Sequence, residues 1–200
     1  MNTALLPMFA GLPLAMAGLL AVVTPRGWLR TTLFLSPGAL GLAASSYLLW
    51  LTRGGEVFSH NVALWDDGIA IPFVADAFSA LMIWTSSLLV VVCSWFAATT
   101  GDHMKPYFPA LVLVLYAGVV GAVLTGDLFN LFVFIEVMLI PSYGLLAMVG
   151  ALGRLRAGRI FVTVNLLTST IFLMGVALVY GAAGTVHVGE LAGAAAESPM

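Results

Sequence analysis

Charge is scarce in this sequence: seven Lys and Arg and nine Asp and Glu make up only 8% of its 200 residues. A soluble domain carries about a quarter of its residues as charges. Together with 62% hydrophobic residues and a mean hydropathy of +1.09, this excludes a water-soluble fold. Cysteine is nearly absent too. Cys93 stands alone, so no intramolecular disulfide can form and no metal site can rest on cysteine. No run of basic residues is present, which removes the electrostatic footprint of a nucleic-acid partner. Nothing positive precedes the first apolar stretch, and that stretch is too long for the core of a signal peptide, so it reads as a true helix. The three histidines, His60, His103 and His187, share no ligand spacing and read as solvated loop residues.

What is present is a series of apolar stretches near twenty residues long, the length a helix needs to cross about 30 Å of hydrocarbon. The sequence predicts an all-α, polytopic membrane protein with one transmembrane domain over 1–200. Its six helices run over about 4–23, 31–51, 74–98, 107–124, 128–149 and 160–180. Arg26, Arg30, Lys105, Arg154, Arg156 and Arg159 fall in the odd-numbered loops and only Arg53 in an even one. Cytoplasmic loops carry the Lys/Arg excess, so the N-terminus is expected outside. Trp28, Trp50, Trp95, Tyr107 and Tyr180 lie near span ends, where amphipathic rings sit at headgroup level. Ala117 with Gly121 and Gly118 with Ala122 predict close helix packing by the fourth helix. Turn residues in the long second loop, at Gly54-Gly55 and at Asp66-Asp67-Gly68, suggest a small hairpin around Val62 to Trp65 and Ile69 to Val74. The tail from Leu191 to Met200 reads as a loop between helices.

Glu136 is the residue of most chemical interest. It lies eight residues into the fifth span, too deep to snorkel, and an ionised acid there costs about 3 kcal/mol even on lenient scales. It must be protonated, paired or beside a hydrated cavity, and a carboxyl poised between such influences can load and release a proton. The alternative is a protonated glutamate that merely bonds a neighbouring helix. Pro141 at i+5 removes the partner of the Val137 carbonyl, one turn away. Asp76 and Asp127 precede the third and fifth helices, where capping is the simpler role and the mouth of an ion path the other. Asn165, Thr168 and Ser169 share one face of the sixth helix with Phe172, a face suited to a hydrated path or to interhelical hydrogen bonds. No metal, phosphate or nucleophile motif is present.

The stretch Thr125-Gly126-Asp127-Leu128-Phe129-Asn130-Leu131-Phe132-Val133-Phe134-Ile135-Glu136-Val137-Met138-Leu139-Ile140-Pro141-Ser142-Tyr143 resembles the fifth helix of the D-subunit of multisubunit Mrp-type Na+/H+ antiporters. The wider family includes antiporter-like subunits of NADH–quinone oxidoreductase and membrane-bound hydrogenases. Val74-Ala75-Asp76-Ala77-Phe78-Ser79-Ala80-Leu81 is similar to that family's entry to helix three, and Tyr180-Gly181-Ala182-Ala183-Gly184-Thr185 to its exit from helix six.

The resemblance implies an N-terminal portion of a longer fold of about fourteen helices with five-helix units in inverted repeat. It implies an ion-translocating subunit of the cell membrane, not itself an enzyme and without a cofactor. The protein would work with other membrane subunits to exchange Na+ or a similar cation for H+. Glu136 would carry the proton, with Asp127, Asn130, Pro141, Asp76, Asn165, Thr168 and Ser169 in support. The lysine of the family's broken seventh helix has no counterpart in this sequence, since Lys105 lies in a loop. A proton-pumping subunit of a redox enzyme is the alternative, and a purely structural helix bundle the third reading.

Overall fold

The computed structural model describes residues 3–23, 25, 27–62, 70–148 and 152–197, and of residues 152, 154 and 194–197 the backbone alone. A 3-10 turn at Thr3–Leu5 leads into α1 (Met8–Val22), followed by α2 (Trp28–Leu51), β1 (Phe58–Asn61) and β2 (Pro72–Ala75). The chain continues through α3 (Ala77–Thr100), α4 (Phe108–Leu124), α5 (Leu128–Ala147), α6 (Leu152–Ala183) and α7 (Val188–Glu197). Among the described residues five helices are long and apolar enough to span a bilayer, and α4, at 17 residues, is a shorter apolar helix. The all-α, polytopic architecture is therefore as expected. Arg26, Trp65, the turn at Asp66-Asp67-Gly68, Ile69 at the start of the predicted second hairpin strand, Val149 and the end of the tail at Ser198–Met200 lie outside the described residues, as does the side chain of Arg154.

Helix α4 is the centre of the bundle, packed against α1, α3 and α5. Lipid tails are as apolar as leucine, so this packing rests on close backbone approach and van der Waals contact rather than on hydrophobic transfer. The small residues of α4 supply that approach. A Cβ on Gly118 would meet Met138 Cγ at 2.6 Å and the Met138 backbone nitrogen at 2.9 Å. The bundle also holds one buried polar contact between α3 and α4, Ser87 Oγ to Tyr116 Oη at 2.6 Å. Gly41 of α2 leaves room for it, since a Cβ there would lie 2.1 Å from the Tyr116 hydroxyl. The aromatic residues predicted at span ends, Trp28, Trp50, Trp95, Tyr107 and Tyr180, are all exposed.

Several boundaries differ from expectation for identifiable reasons. The third helix begins at Ala77 rather than Val74, because Pro72–Ala75 pairs antiparallel with Phe58–Asn61, in the register Phe58↔Ala75 to Asn61↔Pro72. The hairpin exists, but its first strand lies upstream of the predicted Val62 to Trp65. The sixth helix starts at Leu152, so Arg154, Arg156 and Arg159 belong to its first turns rather than to a loop. The tail is helical from Val188 to Glu197. Arg30 is not a loop cation either. It is buried in α2, where Nε donates to the His103 carbonyl at 2.8 Å and Nη2 to the Lys105 carbonyl at 3.0 Å. His103 is likewise buried rather than solvated, its ring at 3.1 Å from Thr31 Oγ1 and 3.3 Å from the Ala97 carbonyl.

Candidate functional site

Helix α5 runs unbroken from Leu128 to Ala147 through a buried Pro141. Glu136 therefore stands in continuous helix with more than two turns on either side. Two aromatic pairs fix what it faces. Phe132 stacks on Phe172 at 6.4 Å between ring centroids, and Tyr143 meets Phe161 edge-on at 5.7 Å. From Phe132 to Tyr143 is three turns along α5, and from Phe172 to Phe161 is three turns back along α6, so the helices run antiparallel in one register. Phe132, Glu136 and Tyr143 share one stripe of α5, at spacings of four and seven residues. Phe161, Asn165 and Phe172 share the matching stripe of α6.

Glu136 thus lies in the α5–α6 seam between two aromatic contacts, with Ser169 near its own level and Asn165 about 4.5 Å further along the axis. Ser169 is buried and Asn165 half-buried. Glu136 Oε1 and Asn165 Nδ2 are both buried atoms without a hydrogen-bond partner. A buried unpaired acceptor and a buried unpaired donor in one seam call for a partner such as a water, an ion or a proton on the carboxyl. Not all of the predicted polar face takes part. Thr168 is exposed and its hydroxyl donates to its own helix at the Val164 carbonyl, as Thr163 and Thr170 do one turn back on theirs. Near Pro141, Ser142 Oγ donates to the Met138 carbonyl at 2.8 Å. At the end near α6's arginines the seam opens into a cleft of about 420 Å³ lined by Tyr143, Arg159 and Thr163 among others.

Asp76 and Asp127 both cap helices. Ser79 N–H donates to Asp76 Oδ1 at 2.7 Å, and Ser79 Oγ accepts from the Asp76 N–H at 2.8 Å. The Ser79 N–H holds the Asp76 carboxyl below the usual carboxylate range, against the opposing effect of partial burial. Asn130 N–H donates to Asp127 Oδ1 at 2.7 Å, and Asn130 Nδ2 donates to Thr125 Oγ1 at 2.9 Å. Asn130 therefore locks the α4–α5 junction and does not reach Glu136's stripe.

Around this junction runs a strip of backbone bonds that the sequence did not reveal. Gly126 N–H donates to Pro72 O at 2.9 Å, Val188 N–H to Gly126 O at 2.9 Å, and Leu128 N–H to Val186 O at 3.0 Å. The strip joins β2, the start of α5 and the α6–α7 link, and it carries His187 to 3.6 Å from Asp127. His187 is thus not the solvated residue its loop position suggested. No sequence signal marks it, because the contact depends on how the ends of α5 and α6 meet. A cleft of about 560 Å³ opens beside the strip.

Residues 125–200 match the family model described as NADH:quinone oxidoreductase/Mrp antiporter, TM. Among curated relatives, the D-subunit of a Na(+)/H(+) antiporter from Alkalihalophilus pseudofirmus is 43% identical over 68% of this chain and 29% of its own length. The D-subunit of a probable K(+)/H(+) antiporter from Rhizobium meliloti is 38% identical over 90% of this chain and 35% of its own. The chain thus spans about a third of the length of these relatives. Among solved structures, a chain of the Mrp complex from Dietzia sp. superposes with a TM-score of 0.89 at 43% identity, covering 98% of this chain and 40% of that one. A chain of the membrane-bound sulfane sulfur reductase, an archaeal respiratory complex, superposes with a TM-score of 0.84 at 26% identity, over 95% of this chain and 39% of that one. For respiratory complex I from Thermus thermophilus the TM-score is 0.77 at 27% identity, over 93% and 38%.

Proposed function

Because the chain belongs to the NADH:quinone oxidoreductase/Mrp antiporter family and is similar to its D-type members along most of its length, we propose that it is part of an ion-translocating subunit of a multisubunit monovalent cation/proton antiporter. It is a multi-pass protein of the cell membrane, a transporter component rather than an enzyme. Other membrane subunits are its partners, and Na+ or a similar cation and H+ are its cargo. The observation that carries this reading is the buried, unpartnered Oε1 of Glu136 in the middle of α5.

In this mechanism Glu136 takes up the proton within the α5–α6 seam. Asn165 and Ser169 supply hydrogen-bonding groups beside it, and the Phe132–Phe172 and Tyr143–Phe161 contacts restrict access from either end. Pro141 and Ser142 shape the backbone one turn away. Asp76, Asp127 and Asn130 act by fixing helix starts.

The test uses vesicles containing the intact complex with this protein at full length. Glu136→Gln is expected to abolish cation-dependent proton exchange while the complex still assembles, whereas Asp127→Asn, which keeps a capping oxygen, costs less. Normal exchange in the Gln variant would sink the assignment. The likeness to two respiratory complexes at 26% and 27% identity supports a second reading, a proton-pumping subunit of a redox enzyme. Exchange that is sensitive to an uncoupler and proceeds without NADH or quinone separates the two, in favour of the antiporter.

A further inference from the structure

We propose that His187 and Asp127 form a second proton-binding site, separate from Glu136, that exchanges protons with the aqueous phase through the cleft beside β2. The proposal rests on the antiporter reading above.

His187 stands in the wall of that cleft, together with Asp76, Thr125 and Glu190. Asp127 lies behind it, 6% exposed, with Oδ2 at 3.6 Å from His187 Nδ1. That nitrogen is buried and has no hydrogen-bond partner. The backbone holds the ring where it is: Asp127 and His187 face each other across an antiparallel bridge, and the His187 N–H donates to Thr185 Oγ1 at 3.2 Å. A bare Nδ1 opposite a carboxylate sets one lone pair against another. A proton gained by the imidazole from the water of the cleft leaves an N–H on both ring nitrogens, which converts that contact to an imidazolium–carboxylate pair and changes the site's net charge from −1 to 0. Release reverses the step, with the proton returned to water. Histidine is the side-chain type suited to such a step near neutral pH.

The surroundings favour proton capture. From α7, Glu190 accepts a hydrogen bond from Thr185. From the start of α3, Asp76 faces the same cleft, and β1 contributes Asn61 to it rather than His60. No lysine or arginine is among the lining residues described, so the cleft is negative and concentrates cations, protons included. Along α5, Asp127 lies nine residues from Glu136, about 13 Å of helix axis.

The test measures exchange by the intact complex in vesicles as the pH on the cleft side is varied across about 5.5 to 8.5, the range over which a histidine pair changes charge. For His187→Gln the change in rate across that range is expected to fall to about a third of the wild-type change. Asp127→Asn is expected to flatten the profile similarly, and the double variant no further. A His187→Gln profile parallel to wild type, whether scaled or not, overturns the proposal. So does a changed cation requirement at every pH with an unchanged profile, which would mark a cation site instead. If His187→Gln fails to assemble, Asp127→Asn decides alone, since it keeps the oxygen that caps α5. Glu136→Gln separates the two readings. If it leaves exchange intact the antiporter assignment fails, whereas if it silences exchange while His187→Gln keeps the pH profile, only the paired site fails.

Discussion

The ring of Phe134 on α5 fills the space in which a side chain on Gly121 of α4 would sit: a Cβ there would lie 2.1 Å from Phe134 Cε1. A half-buried aromatic ring wedged into a helix interface, with three of its atoms within 2.5 Å of that position, cannot give way by that distance without displacing α5 itself. Gly121→Ala is therefore expected to cost about 1–3 kcal/mol, the usual penalty of overpacking, read as a lower thermal midpoint of the detergent-solubilised complex. Gly175→Ala on α6, where nothing of this chain lies within 4 Å, is the matched control and should not lower the midpoint.

Arg30 supplies the second prediction. Its guanidinium ties the start of α2 to the carbonyls of His103 and Lys105 in the α3–α4 loop. Bonds from a charged donor are worth about 1.5–3 kcal/mol, and the planar fork is what lets one side chain reach both carbonyls. Arg30→Ala should lower thermal stability by about 2–3 kcal/mol, and Arg30→Lys should recover less than half of the loss. Full recovery by lysine would show that charge, not the fork, holds the loop.

The third concerns pH. Asp76 has a carboxyl held below its usual range by the Ser79 N–H, so its contribution to stability is present above the unfolded carboxyl pKa and is lost as the pH falls through the lowered folded value. Asp76→Ala should cost about 1 kcal/mol at neutral pH, a typical helix-cap loss, and Asp76→Asn much less. The stability gap between wild type and Asp76→Ala should hold steady above about pH 5 and narrow below about pH 4. A gap independent of pH down to about 3 would show that the ionised carboxylate is not the capping group.

The sequence told most where one residue's environment is fixed by its own helix. Span positions followed from apolar length, the cap roles of Asp76 and Asp127 from their place before a helix, and the close approach at Gly118 and Gly121 from small-residue spacing. Glu136 stood out because depth in a membrane is itself a strong statement about an acid. What stayed hidden are contacts between segments far apart in the chain. Arg30 looked like a topological charge, yet it serves a loop more than seventy residues away. His103 and His187 sit in links that look solvent-facing until the ends of neighbouring helices are brought together. The early start of α6 was masked by Gly153, Arg154, Arg156 and Gly158, which lower apparent hydropathy without breaking a helix.

The strip of bonds from Pro72 through Gly126 to Val188 constrains motion as well as shape. It pins the ends of α5 and α6 nearest Phe132 and Phe172 to a common strap, while at the ends nearest Tyr143 and Phe161 the chain itself passes from one helix to the other within four residues. The two helices are thus held at both ends, and any parting that keeps the strap and the link intact must bow outward between them, as a buttonhole does. Glu136 lies between the two ties, so the widest part of such an opening falls near the carboxylate, and the ends beside Phe172 and Arg159 stay closed.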